Sequence, residues 1–311
     1  MTTGNKPTAA LQYPSLGSLA AKLLTTEKGV PPYVTFMDLR NGSAGQSGYL
    51  GTSYNPFIIE GNGAGRNGTF RVRGITLPNG ITLSDLDQRD RLLSTFDESF
   101  RQIDARNELV EGLDTFHQQA LDILRADKTQ KAFDLQTESA SLRERYGTTP
   151  FAAGALAARR LVEAGVRFVT VGIGGWDTHN IQANEQPPII ETLARNLKAF
   201  VDDLGDAHMR NVVILVYSEF VRTARENGNT GTDHGNATLA LVVAHPSKIN
   251  GRRIVHGAPG YAGLTDLRDD RDLKHSVDYR SLIFEAVSRH LGNSSPEIFP
   301  DYTPVPVGVF V

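Results

Sequence analysis

The sequence predicts an α/β protein: a doubly wound, mostly parallel sheet flanked by helices, with a helical lobe set into it. Three observations carry this expectation. Residues 166–173 form a nearly continuous apolar run of strand length, as a strand buried on both faces requires. A capped helix precedes that run, and helix, strand, loop and strand come after it in alternation. Residues 84–146 instead repeat their apolar positions at helical spacing. The 311 residues read as a single domain, 1–311, that contains the lobe 84–146.

In chain order, Pro14-Ser15-Leu16-Gly17 opens a short helix reaching about Leu24, and residues 33–38 read as a strand. Eight glycines between 41 and 68 predict a long irregular segment. Within it Gly61-Asn62-Gly63-Ala64-Gly65 opens no helix, so it reads as loop and not as a dinucleotide cradle. In the lobe, Leu86, Leu92, Leu93, Phe96, Phe100 and Ile103, then Leu109, Leu113, Phe116, Ala120 and Leu124, line two or three amphipathic helices. Thr149 caps the next helix, Pro150 suits its first position, and Gly165 stops it. A helix over 187–204 turns Ile189, Leu193, Leu197, Val201 and Leu204 to one face. Strands are expected at 212–218 and 238–244, and a last helix runs from about Ser276 to Gly292.

Composition narrows the function. Thirty-two basic against thirty-five acidic residues give a net charge of -3, which argues against nucleic acid as a partner. The absence of cysteine removes disulfides, Cys-ligated metal and a thiol nucleophile. A mean hydropathy of -0.27, with no apolar run near the ~18 residues of a membrane span, predicts no spanning segment. The start, Met-Thr-Thr-Gly-Asn-Lys, has no apolar signal region.

Ligands of an open parallel sheet bind beyond the carboxyl ends of its strands. Reading only those ends gives Gly175-Trp176-Asp177-Thr178-His179 with Gln182, then Glu219 with Arg222-Thr223, then Gly231-Thr232-Asp233-His234-Gly235. In an extended segment Asp177 and His179 point to the same side. Asp233 and His234 are splayed by a glycine-flanked turn. Two such oxygen/nitrogen pairs predict a shell for one or more divalent metal ions, their identity left open between imidazole-preferring and carboxylate-preferring metals. Glu219 fits a ligand, an orienter of a histidine or a general base, and Arg222 either a clamp for an anionic substrate or a partner balancing the acids. His275 precedes a helix and is a lesser ligand candidate, while His117, His208, His245, His256 and His290 read as structural or surface residues.

These three motifs in series resemble the domain-of-unknown-function 1501 family, a bacterial group similar to the alkaline phosphatase and sulfatase superfamily. Ala157 through Val169 resembles the helix–strand unit ahead of its first motif, and Tyr13-Pro14-Ser15-Leu16-Gly17-Ser18 and Gly48-Tyr49-Leu50-Gly51 resemble its N-terminal portion. The resemblance implies an alkaline-phosphatase-like sheet with an Asp/His-bound divalent metal pair at the strand ends. It implies hydrolysis of phosphate or sulfate esters, with Asp177, His179, Asp233 and His234 as metal ligands and a small anionic or envelope-derived substrate. It also implies export to the periplasm. The family's N-terminal Gly-Gly-x-Ser-x-x-Asp motif does not occur in this chain, which predicts a truncated start or a lost half-site. The alternative expectation is a non-catalytic relative that binds an envelope component, a polysaccharide or a partner protein.

Overall fold

The computed structural model describes residues 3–5, 11–37, 46–60, 71–72, 85, 88, 108–218, 221–256 and 262–311. It is a mixed α/β structure in two compact units, residues 2–172 and 173–311.

In the first unit, helix α1 (Leu16–Leu23) starts where the Ser15 hydroxyl accepts the Ser18 amide at 3.2 Å. Strand β1 (Tyr33–Thr35) is central, with β2 (Phe57–Glu60) and β4 (Phe168–Thr170) parallel to it on either side. Strand β3 (Arg71–Val72) pairs antiparallel with β2, giving the order β3-β2-β1-β4. Val34 is fully buried, and Tyr33 and Phe57 nearly so. Strand β2 falls inside the glycine-rich stretch expected to be irregular. The four apolar-leading residues Phe57-Ile58-Ile59-Glu60 suffice because Phe57 and Ile59 alternate into the core.

Among the described residues this unit has four further helices: α2 (Glu108–Arg125), α3 (Asp127–Phe133), α4 (Ala140–Tyr146) and α5 (Pro150–Ala164). The lobe residues Leu86, Leu92, Leu93, Phe96, Phe100 and Ile103 lie outside the described residues, whereas Leu121, Ile123 and Leu124 are buried. Helix α5 matches its sequence signals: the Thr149 hydroxyl accepts the Ala152 amide at 3.1 Å and Gly165 ends it in the left-handed region. Arg159, mostly buried, bridges Glu138 at 2.8 Å and Glu163 at 2.7 Å, and Arg160 also pairs with Glu138.

The second unit begins with helix α6 (Gln182–Met209), which starts five residues before the expected Pro187. Its first turn is anchored from outside: the Ile181 and Gln182 amides donate to the Asn229 and Thr230 carbonyls at 3.1 and 2.9 Å. Gly205, with φ 72°, breaks the helix after Leu204. Strands β5 (Val213–Tyr217) and β6 (Ala240–Ala244) pair antiparallel over all five residues. A parallel relation needs a crossover helix between strands, and a polar loop joins these two instead. The parallel part described is therefore the three strands β2-β1-β4.

A small hairpin, β7 (Leu267–Arg268) with β8 (Asp272–Leu273), turns through Asp269 and Asp270 at φ 54° and 50°. Helix α7 (Tyr279–His290) then starts on the Asp278 side chain, which accepts the Arg280 amide at 2.9 Å. Among the described residues no helix is long and apolar enough to cross a membrane.

Candidate metal centre

The second unit gathers its chemistry on two loops. The first, 174–181, leads into α6 and carries Asp177, Thr178 and His179. The second runs out from β5 and returns toward β6, carrying Arg222, Thr223, Asn227 and the segment 231–235. Backbone pairing holds these loops in register. Thr223 N donates to Asp233 O at 2.9 Å, Gly235 N to Val221 O at 2.8 Å, and Thr232 N to Thr178 O at 3.2 Å. Two glycines are dictated by this closeness. A β-carbon on Gly231 would collide with the His179 carbonyl group, and one on Gly235 would stand 2.5 Å from the Arg222 carbonyl oxygen.

The result brings Asp177, His179 and His234 together, one donor atom of each lying within 4.8 Å of the others. Asp177 Oδ1 is 3.1 Å from His179 Nε2 and 3.4 Å from His234 Nε2. The two imidazole rings lie 5.1 Å apart, tilted by 53°. Ligands bonded at ~2.0–2.1 Å to a tetrahedral ion stand ~3.4 Å from each other, so these separations fit a shared cation. Donor chemistry sharpens the fit. Two imidazoles and one carboxylate match zinc or iron(II), whereas magnesium and calcium take oxygen shells.

Asp233, expected as a fourth ligand, stands behind His179 and is not in this three-donor group. Its Oδ1 lies 3.0 Å from His179 Nδ1, the nitrogen opposite the one that faces Asp177. A carboxylate in that position fixes the tautomer and direction of a ligating imidazole. Asn227 Nδ2 donates to the same Asp233 oxygen at 3.0 Å and to the His179 carbonyl at 2.9 Å. The Asn227 hydrogen bond, then that of His179, holds the Asp233 carboxyl below the usual aspartate range. Asn227 carried no sequence signal beyond its place in a polar loop.

Arg222 is turned inward, its side chain only 15% exposed. Nη1 meets Asp177 Oδ1 at 2.6 Å, Nη2 donates to the carbonyls of Thr178 (2.8 Å) and Thr232, and Nε donates to the Thr232 hydroxyl at 3.1 Å. All three nitrogens therefore serve the loops themselves. Glu219 lies outside the described residues. His275, the lesser ligand candidate, has its Nδ1 3.2 Å from Asn236 Nδ2 and is not in the three-donor group.

No curated protein and no solved structure matches the chain significantly. A family model does, over residues 1–292, and on that match the chain belongs to the family described as Protein of unknown function (DUF1501).

Proposed function

We propose that Asp177, His179 and His234 hold one divalent transition-metal ion and that the protein is a metal-dependent hydrolase of phosphate or sulfate esters, related to the alkaline phosphatase and sulfatase superfamily. The convergence of two imidazoles and a carboxylate within 4.8 Å carries this reading. The carboxylate behind His179 supports it, because that second carboxylate is the usual companion of a ligating imidazole. All three donors are 38–52% exposed, so a small ester can reach them.

A cation held there supplies Lewis-acid polarisation of an ester oxygen. The chain's own residues do the rest. His179 and His234 each turn a ring nitrogen toward Asp177, and Asp233 keeps His179 aimed from its Nδ1 side. Arg222 offsets the charge of Asp177 and locks the two loops together. Of the two roles that its position in the sequence allowed, anion clamp or partner balancing the acids, we assign it the second.

A second reading has one observation in its favour. Among the described residues there is one three-donor group, whereas the superfamily likeness implies a metal pair. A non-catalytic relative holding a single ion, and binding an envelope component or polysaccharide, accommodates that.

Elemental analysis of the purified chain beside an Asp177→Ala, His234→Ala double variant tests the metal. About one equivalent of zinc or iron in the wild type and none in the variant is the expected result. Equal, near-zero metal in both removes the proposal. A panel of phosphate and sulfate esters assayed on the metal-loaded chain then separates the two readings: turnover abolished in the variant supports the hydrolase, and no turnover supports the non-catalytic binder.

A further inference from the structure

Thr178, between two of the three donors, is 2% exposed, and its side chain belongs to a hydrogen-bond chain that meets the donors only through Arg222, on Asp177. Gln186 Nε2 donates to the Thr178 hydroxyl at 3.0 Å. Gln182 Nε2 donates to Gln186 Oε1 at 3.3 Å, and the Thr232 hydroxyl donates to Gln182 Oε1 at 2.7 Å. Arg222 Nε donates to that Thr232 hydroxyl, and Arg222 Nη2 closes the circuit on the Thr178 carbonyl at 2.8 Å. Five side chains from the loop 174–181, the first turns of α6 and the returning loop thus form a ring that closes through Thr178.

An independent feature marks the same place. Ile181, between His179 and Gln182, sits at φ 38°, ψ 39°. A β-branched residue in the left-handed region is a genuine outlier, and such strain persists only where the surroundings over-determine it. Here the surroundings do so: the Ile181 and Gln182 amides bond to Asn229 and Thr230, and the ring fixes the first turns of α6. Ile181 is also 51% exposed, so burial of its side chain does not account for its backbone.

We infer that Gln182 and Gln186 are positioning residues for the metal centre, holding Thr178 so that Asp177 and His179 face one point. The inference rests on the metal reading above. It predicts that ion affinity depends on amides that never approach the ion.

Gln186 gives a clean test, because its two hydrogen bonds respond differently to substitution. Gln186→Glu keeps an acceptor for Gln182, and the Thr178 hydroxyl can reverse and donate to the new carboxylate. Gln186→Met keeps the length of the side chain and loses both bonds. Competition with a chromophoric chelator, using zinc as the probe on the full chain, reads the affinity. The expected result is a loss of about 10–100-fold for Gln186→Met, the range found when groups supporting a ligand are removed. Gln186→Glu should hold the wild-type affinity, and the metal-free melting temperatures of all three chains should agree. Thr178→Val, which removes the hydroxyl with little change of shape, should reproduce the Met loss and substitutes for it if the Met chain does not fold. Wild-type affinity in the Met and Val variants overturns the inference while leaving the metal proposal standing. A Glu variant as weak as the Met variant also overturns it. A wild-type chain that takes up no zinc overturns both.

Discussion

Asp233 shows how much of a residue's role is decided by which atom it meets. As a neighbour of His234 it reads as a ligand; as the partner of His179 Nδ1 it reads as an orienter. The sequence carries the residue type and its glycine-flanked turn, and it also carries the need for Gly231 and Gly235. It cannot show which imidazole nitrogen faces inward, because that depends on the register between loops 54 residues apart. Asp233→Asn separates charge from shape: the amide oxygen can still accept from His179, and the negative charge is gone. The carboxyl of Asp233 is held below its ordinary range, so its contribution is present at and above that range and is lost as pH falls through the lowered value. At neutral pH the Asn variant should bind zinc roughly tenfold or more weakly by chelator competition, since a carboxylate behind a ligating histidine raises the ligand's basicity. Unchanged affinity would make Asp233 a turn residue only. Gln186 was illegible for a further reason. Its link to Thr178 spans eight positions across the start of α6, and neither residue is one of the three donors.

At the scale of elements, local signals were legible and strand direction was not. Helix α5 is written in three residues, Thr149, Pro150 and Gly165, each acting within one turn. The antiparallel pairing of β5 and β6 depends on what the intervening loop does in space, and apolar runs look alike in either direction. Helix α7 adds a feature that only the fold reveals. Its Glu285 is 8% exposed and accepts amides from the C-terminal tail: Val307 at 2.6 Å, Gly308 at 2.9 Å and Phe310 at 2.8 Å. Burial alone would raise this carboxyl, yet the backbone donors of Phe310, Gly308, Val307 and Val309 together hold it below the usual glutamate range. The stabilisation is therefore complete above that range and is lost as pH falls through the depressed value. Glu285→Gln should cost about 2 kcal/mol, the scale of a hydrogen bond to a charged group. Hydrogen exchange should show residues 307–310 losing protection in the variant at neutral pH, and in the wild type on acidification. Equal protection in the two chains at neutral pH would mean that packing of Phe310, not the carboxylate, holds the tail.

For the whole molecule, the division into two units decides where an ion is felt. The sheet β3-β2-β1-β4 and helices α1 to α5 form one unit, whose core is Tyr33, Val34, Phe57, Leu156 and Leu161. All three candidate ligands, with Arg222, Asp233 and the glutamine ring, lie in the other. That second unit has a thinner scaffold, since a two-stranded pairing is marginal without further support and the residues of β5 and β6 are only half-buried or exposed. Loops tied by polar contacts across 177–182 and 222–235 should therefore draw much of their order from a bound ion. A ligand present at ~100 times its dissociation constant stabilises the state that binds it by about 2.7 kcal/mol. Stripping the ion with a chelator should remove that increment and lower the melting temperature. Amide exchange should quicken at 177–182 and 222–235, while strands 33–35 and 168–170, stapled by parallel pairing around a buried Val34, keep their protection. Re-adding zinc should restore the loops. A chelator that leaves every amide unchanged, or that loosens both units equally, would place the ion somewhere other than the Asp177–His179–His234 centre.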